Sequence, residues 1–168
     1  MDDDTTFGTG TTLWHRYRFE TSIDRVFEAW TQPRALRLWW CPEGWHPTGI
    51  EVDLCDGGAW RIAMRRDGTS QHVAVHGRFL EVLPPTRLVY TWRWDGAFSG
   101  MPETRVTVDF RAVAGGTEIV LRQEALAMPL CTRHLAGWLA ACRRLGGLID
   151  SPALQSRLIE TWRLGVIA

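Results

Sequence analysis

The sequence contains no lysine and no asparagine. All 19 of its basic residues are arginine, and 19 acidic residues balance them to a net charge of zero. Without lysine, Schiff-base and lysine general-base chemistry are excluded. Without a basic excess or a basic stripe, the phosphate neutralisation that supplies most nucleic-acid affinity is missing, so no nucleic-acid partner is expected. The arginine-only bias also suggests a GC-rich bacterial genome. No apolar run approaches the roughly 20 residues of a membrane helix, so no membrane insertion is expected. No apolar signal-peptide region follows the acidic start Met1–Asp4. Cys41, Cys55, Cys131 and Cys142 form no C-x-x-C pair, which points to reduced thiols in a cytoplasm. Metal-ligand spacings, phosphate-cradling loops and a G-x-S-x-G elbow are also missing. Neither a metal nor another cofactor is expected.

What is present suits one domain with a sizeable core. The chain has 168 residues, 45% of them hydrophobic and 23% charged, which is ordinary for a globular protein. Ten tryptophans are many for this length. They serve either as core or as the lining of a wide aromatic cavity.

Residues 1–11 are acidic and glycine-containing and read as a loose terminus. Thr12–Glu20 alternates, with Leu13, His15, Tyr17 and Phe19 on one face, as in a half-buried strand. Thr21 or Ser22 then caps a short helix with Ile23, Val26, Phe27 and Trp30 on one side. Pro33 opens a second, ending in Leu38-Trp39-Trp40. Two brief helices straight after a strand form a bracket that can brace a curved sheet.

From Gly49 to Glu124 strands and turns alternate. Ile50–Cys55 runs into the turn Asp56-Gly57-Gly58. Ala59–Arg66 sets Trp60, Ile62 and Met64 on one face, and Asp67-Gly68 signals a hairpin. Gln71–Val82 contains Gly77, read as a bend or bulge. Arg87–Trp94 carries Trp92 and Trp94, Thr104–Val113 presents Val106, Val108 and Phe110, and Glu118–Gln123 closes an antiparallel meander. The loop Asp95–Pro102 carries Phe98 and Met101. It is either a hairpin loop tucked onto the rim or a lid over a cavity mouth.

Leu130–Ile149 is the one long amphipathic helix. Cys131, Leu135, Trp138, Cys142, Leu145 and Ile149 recur on one stripe, with Arg133, Ala136, Ala140 and Arg144 opposite. Beyond it, residues 150–168 read as an extension in which Pro152 starts a short helix with Leu154, Leu158 and Trp162 on its apolar side. That helix packs on the domain or on a second copy, as a homodimer. The domain itself spans 12–149. The fold class is α+β: a curved antiparallel sheet of about seven strands gripping a C-terminal helix.

A strand, two short helices, six strands and a long helix is the order of the START-like, or SRPBCC, helix-grip superfamily. Local strings narrow the resemblance. Phe27-x-Ala29-Trp30-Thr31-x-Pro33 followed by Trp39-Trp40-x-Pro42 resembles the opening of the heat-shock protein 90 ATPase-activator-homology family. Asp53-Leu54-x-x-Gly57-Gly58-x-Trp60 is similar to its first hairpin, and Gly77-x-Phe79-x-Glu81-Val82-x-Pro84-Pro85-x-Arg87-Leu88 to its central strand and turn. Gly115-Gly116-Thr117 and His134-x-x-Gly137-Trp138 resemble its penultimate turn and its helix. These strings occur in family order from about Leu13 to Ile149. Cys55-Asp56 departs from the arginine-proline of many members. The resemblance implies a cavity for hydrophobic small molecules, often aromatic or polyketide-like, and no shared catalytic set. A bacterial stress- or metabolite-related role is the matching expectation.

Candidate residues follow from the faces. Trp60, Met64, Trp92, Trp94 and Phe110 are wall candidates on the sheet, and Trp39 on the bracket, although a packed core needs the same residue types. On the helix, His134 and Trp138 are neighbours four apart, and Cys142 lies one turn on, where a buried thiol is normally an inert hydrophobe. His15 and Tyr17 offer polar groups on an apolar face, either as ligand handles or as a satisfied core pair. Glu81 reads as a buried acid or as an arginine partner. No nucleophile has a visible partner, so no catalytic residue is assigned, and the residues point to binding of a hydrophobic small molecule. A polyketide cyclase or aromatase using His15, Tyr17 or His134 for proton transfer is one alternative. A chaperone-associated interaction module is the other.

Overall fold

The computed structural model describes residues 6–9, 12–126 and 128–150. Eight antiparallel strands form one sheet. They are β1 (Thr6–Thr9), β2 (Thr12–Phe19), β3 (Trp45–Val52), β4 (Ala59–Arg66), β5 (His72–Leu83), β6 (Arg87–Gly96), β7 (Thr104–Val113) and β8 (Gly116–Glu124). The helices are α1 (Ile23–Thr31), α2 (Pro33–Trp39) and α3 (Met128–Ile149). The spatial order is β1-β2-β8-β7-β6-β5-β4-β3. Strands β3 to β8 therefore make a meander in chain order, with β2 beside β8. The two short helices carry the chain from β2 across to β3 at the opposite edge. The seven strands read from the sequence are all present. The eighth, β1, pairs with β2 from Thr6↔His15 to Thr9↔Thr12, inside the terminus read as loose.

Most strand and helix ends shift by a few residues from the sequence reading, and two differences have a clear physical reason. Strand β3 begins at Trp45 rather than Ile50. Pro47 and Gly49 look like breakers, but β3 is an edge strand, where a missing N–H costs no ladder bond. A register shift between Pro47 and Gly49 absorbs the rest. The bulge expected at Gly77 falls instead between Phe79 and Glu81. Gly77 stands in regular register opposite Trp60. Glycine is required there because a Cβ would lie 1.8 Å from the Thr91 carbonyl oxygen, the same oxygen that accepts the Trp60 Nε1–H at 3.2 Å.

Strand alternation puts one face of the sheet inward. Leu13, His15 and Phe19 of β2, Trp60, Ile62 and Met64 of β4, and Val106, Val108 and Phe110 of β7 are all buried. The helix α3 lies over this face with Trp138, Cys142, Leu145 and Ile149 buried, while Arg133, Ala136 and Ala140 are exposed. Arg144, read as outward-facing with them, turns back to α2 instead. It donates from Nε to the Trp39 carbonyl at 2.9 Å and from Nη2 to the Cys41 carbonyl at 2.7 Å. Carbonyls at and just past a helix C-terminus have no intrahelical donor, and a cation there also meets the negative end of the dipole. That clamp fixes the end of α2, and with it Trp40, against α3.

On the outer sheet surface Arg87 bridges Glu81 at 2.9 Å and Asp109 at 2.7 Å, which makes Glu81 an arginine partner and not a buried acid. In the turn after β3, Asp56 Oδ1 accepts the Val82 N–H at 2.8 Å, so the Cys55-Asp56 departure adds a contact to β5. The end of α3 is tied to β2 where Asp150 Oδ1 accepts the Glu20 N–H at 3.1 Å. The helix read from Pro152 onward, with Leu154, Leu158 and Trp162, lies outside the described residues.

Candidate functional site

The space between the helices and the sheet is not uniform. Beneath Trp92, toward β4 and β5, only about 30 Å³ remains, bounded by Trp60, Phe79 and Tyr90. At the other end of Trp92 a cavity of about 230 Å³ opens between β6, the β6–β7 loop, the end of α2 and the first half of α3. Trp92, Trp94 and Trp40 form its sheet-side wall, Phe98 and Met101 of the loop stand at its mouth, and His134 and Trp138 face them from the helix. Pro42, Leu130 and Arg133 complete the rim.

The helix presents a stripe of mixed size to this room. Leu130, Arg133, His134, Gly137 and Ala141 recur at steps of three and four and form the stripe that borders the cavity. Gly137 and Ala141, four apart, are its C-terminal half. A Cβ added at Gly137 would meet nothing within 4 Å. The neighbouring stripe, led by Trp138, carries the bulk and is packed.

Aromatic geometry fixes the walls. Trp40 stacks on Trp92 at 5.3 Å between ring centroids and 27° between planes. Trp92 meets Trp138 edge-on at 5.4 Å, and Trp94 meets Phe98 at 5.5 Å. His134 stands edge-on to Trp92 at 5.9 Å and to Trp94 at 6.1 Å. Offset and edge-to-face pairs of this kind add to plain area burial. The indole Nε1–H groups of Trp92 and Trp94 are buried and have no hydrogen-bond partner among the described residues.

A polar network lies behind these rings. Gln123, on β8 and fully buried, donates from Nε2 to Thr104 Oγ1 at 2.9 Å. Its Oε1 accepts the Trp138 Nε1–H at 2.9 Å and lies 3.1 Å from His134 Nδ1. Burial pushes the His134 pKa down to about 4, because an apolar surrounding penalises the charged ring.

Of the residues proposed from the sequence, the structure brings Trp92, Trp94, His134, Trp138, Phe98 and Met101 together at this cavity. It places the others elsewhere. Trp39 is core, its Nε1–H donated to the Ala29 carbonyl at 3.0 Å; its neighbour Trp40 takes the wall position. Trp60 borders the small internal gap. Met64 and Cys142 are buried in the core, and Phe110 packs edge-on against Phe27 and Trp30. His15, on β2, is fully buried with its ring 6.1 Å from that of Tyr17. Tyr17 lies under the far end of α3, where a Cβ on Gly146 would come within 2.7 Å of its hydroxyl. These residues share the inward face, but the sheet is several strands wide and the cavity occupies only one end of it.

Sequence reasoning missed Gln123, Thr104, Trp40, Gly137 and Ala141. A signal for Gln123 existed: Thr117, Ile119 and Leu121 alternate inward along β8, and one more step of two reaches it. The Gly137–Ala141 spacing likewise marks a place where a helix leaves space.

Among the described residues no group of three or more His, Cys, Asp or Glu is placed to hold a metal ion. No described helix is long and apolar enough to cross a membrane.

A long helix held across the inner face of an antiparallel sheet, with two short bracket helices and a cavity at one end, defines the helix-grip class of the SRPBCC superfamily. Within it, residues 20–150 match the family described as Activator of Hsp90 ATPase homolog 1-like protein, and the chain belongs to that family. A crystal structure of a protein from Chromobacterium violaceum is similar, with 26% identity, a TM-score of 0.76, and coverage of 84% of this chain and 99% of that one. An AHSA1-like protein from Aeromonas hydrophila has 26% identity and a TM-score of 0.71, covering 85% of this chain and 94% of that one. An AHSA1 protein from Silicibacter pomeroyi has 25% identity and a TM-score of 0.73, with 83% and 97% covered. No curated protein matches in sequence.

Proposed function

We propose that this protein binds an uncharged, largely aromatic small molecule in the cavity between α3, β6 and the β6–β7 loop. One observation carries the reading: a cavity of about 230 Å³ walled by aromatic rings and bordered on the helix side by Gly137, whose Cβ position is open space. The cavity opens to solvent past Arg133 and Gly137, which are exposed, and a largely apolar cleft with a few polar groups at its edge is the usual form of a small-molecule site. Apolar ligand surface entering it gains about 25 cal/mol per Å². Phe98 and Met101 at the mouth fit a loop that covers the bound molecule.

Binding is favoured over turnover. Of the three residues considered for proton transfer, only His134 lines the cavity. With its pKa down at about 4 it is a weak general base at neutral pH.

Four of the ten tryptophans line the site, so intrinsic fluorescence reports occupancy. Titration with naphthalene-sized aromatics is expected to quench the emission saturably and raise the melting temperature. Absence of both across a broad aromatic panel would refute the proposal.

A further inference from the structure

The network behind the cavity fixes which atom of His134 a ligand meets. An indole N–H can only donate, so the Gln123 atom 2.9 Å from Trp138 Nε1 is the amide oxygen. The amide nitrogen on the other side then donates to Thr104 Oγ1 at 2.9 Å, consistent with the same orientation. That oxygen also lies 3.1 Å from His134 Nδ1. An amide oxygen cannot donate, so Nδ1 carries the proton. In a neutral imidazole the other nitrogen, Nε2, is then a bare acceptor. It has no protein donor among the described residues, and the ring to which it belongs lines the cavity. Edge-on contacts with Trp92 and Trp94 hold that ring in place.

Resting on the proposed binding cavity, we infer that its ligand is a phenol: an aromatic molecule whose uncharged hydroxyl donates to Nε2 of His134. A carbonyl or carboxylate oxygen at that point would set lone pair against lone pair. An ammonium group would lose its hydration against indole walls and would face the guanidinium of Arg133 at the rim. A neutral hydroxyl satisfies the acceptor at little desolvation cost. Gln123 is a positioning residue in this scheme: it holds the tautomer and does not touch the ligand.

The direct test uses two probes of nearly equal shape, 2-naphthol and 2-methylnaphthalene, titrated against the wild-type chain and His134→Phe. Replacing the imidazole by phenyl keeps a ring in the wall and removes the acceptor. The substitution is expected to weaken 2-naphthol about tenfold, the range for one buried hydrogen bond, while 2-methylnaphthalene changes less than about twofold. Equal effects on both probes would overturn the phenol inference and leave hydrophobic binding standing. Failure of both probes, and of the wider aromatic panel, to bind the wild type would overturn the binding proposal and this inference with it, and binding of 2-methylnaphthalene without 2-naphthol would overturn this inference alone. A second measurement needs neither variant nor ligand. Nitrogen-15 spectra of the five histidine rings are expected to show His134 neutral, with Nδ1 protonated and Nε2 bare; the opposite tautomer would overturn the inference.

Discussion

Replacing Gln123 by leucine removes the centre of the polar network at nearly constant volume. Gln123 is 0% exposed, so water cannot take over its hydrogen bonds. The substitution strands the Trp138 indole N–H and the His134 Nδ1–H, which converge on Oε1 at 2.9 and 3.1 Å. It also strips Thr104 Oγ1 of its donor. An unsatisfied buried donor or acceptor costs about 1–3 kcal/mol. Leucine recovers part of this by transferring better out of water, by about 1–2 kcal/mol. Half-buried His134, and Thr104, which keeps its bond to the Trp92 carbonyl, fall at the low end, so the net expected destabilisation is about 1–4 kcal/mol. For a chain of this length that lowers the melting temperature by roughly 2–16 °C. Urea unfolding of wild type, Gln123→Leu and Thr104→Val measures it, with the Thr104 variant expected to lose less because it strands one side-chain group, the Gln123 amide nitrogen. A Gln123→Leu variant within about 0.5 kcal/mol of wild type would refute the reasoning, since that is the range of a substitution away from any special feature.

Two further substitutions test separate parts of the account. Gly77→Ala places a methyl 1.8 Å from the Thr91 carbonyl oxygen, a backbone atom in the next strand. It is expected to cost upwards of about 3 kcal/mol and to appear mainly in insoluble material, with soluble yield and melting temperature as readouts. His134 supplies a pH signature. Its folded pKa, down at about 4, lies below the ordinary value of 6.5, so the unfolded chain binds its proton first. This contribution leaves stability intact above pH about 6.5 and erodes it as the pH falls toward about 4, by on the order of 3 kcal/mol in all. His134→Gln is expected to flatten that part of the pH–stability curve, and an unchanged curve would contradict the buried neutral ring.

The fold was legible because its signals are local and repeat. Alternation along β4 and β7, the Pro33 restart of the bracket and the 3–4 stripe of α3 each follow from one short window of sequence. The cavity was legible only in part. Sequence periodicity tells which face of a strand points inward, but not where along a wide sheet the packing fails to close. Trp39 and Trp60 therefore looked equivalent to Trp92 and Trp94. Only the first two are tied down by carbonyl acceptors in the core, those of Ala29 and Thr91. His15 and Tyr17 share a face with the true interior but lie on β2 and under the Gly146 end of α3. Gly137 borders that room with no side chain of its own, and a glycine in a helix is most easily read as a weakness. Gln123 escaped notice because a polar residue near the end of a strand usually marks its exit to solvent.

The central claim is that the space beside Gly137 is the binding site. Gly137 lies on an exposed part of α3 at the cavity's edge, and a Cβ there meets nothing from the rest of the protein within 4 Å, so Gly137→Leu should intrude on the cavity without straining the core. Removing a helical glycine also gains up to about 1 kcal/mol. Fluorescence titration of this variant with 2-naphthol, beside its melting temperature, is the most direct measurement. The account predicts an unchanged or higher melting temperature together with at least about a tenfold loss of affinity. Wild-type affinity in a folded Gly137→Leu protein would contradict it.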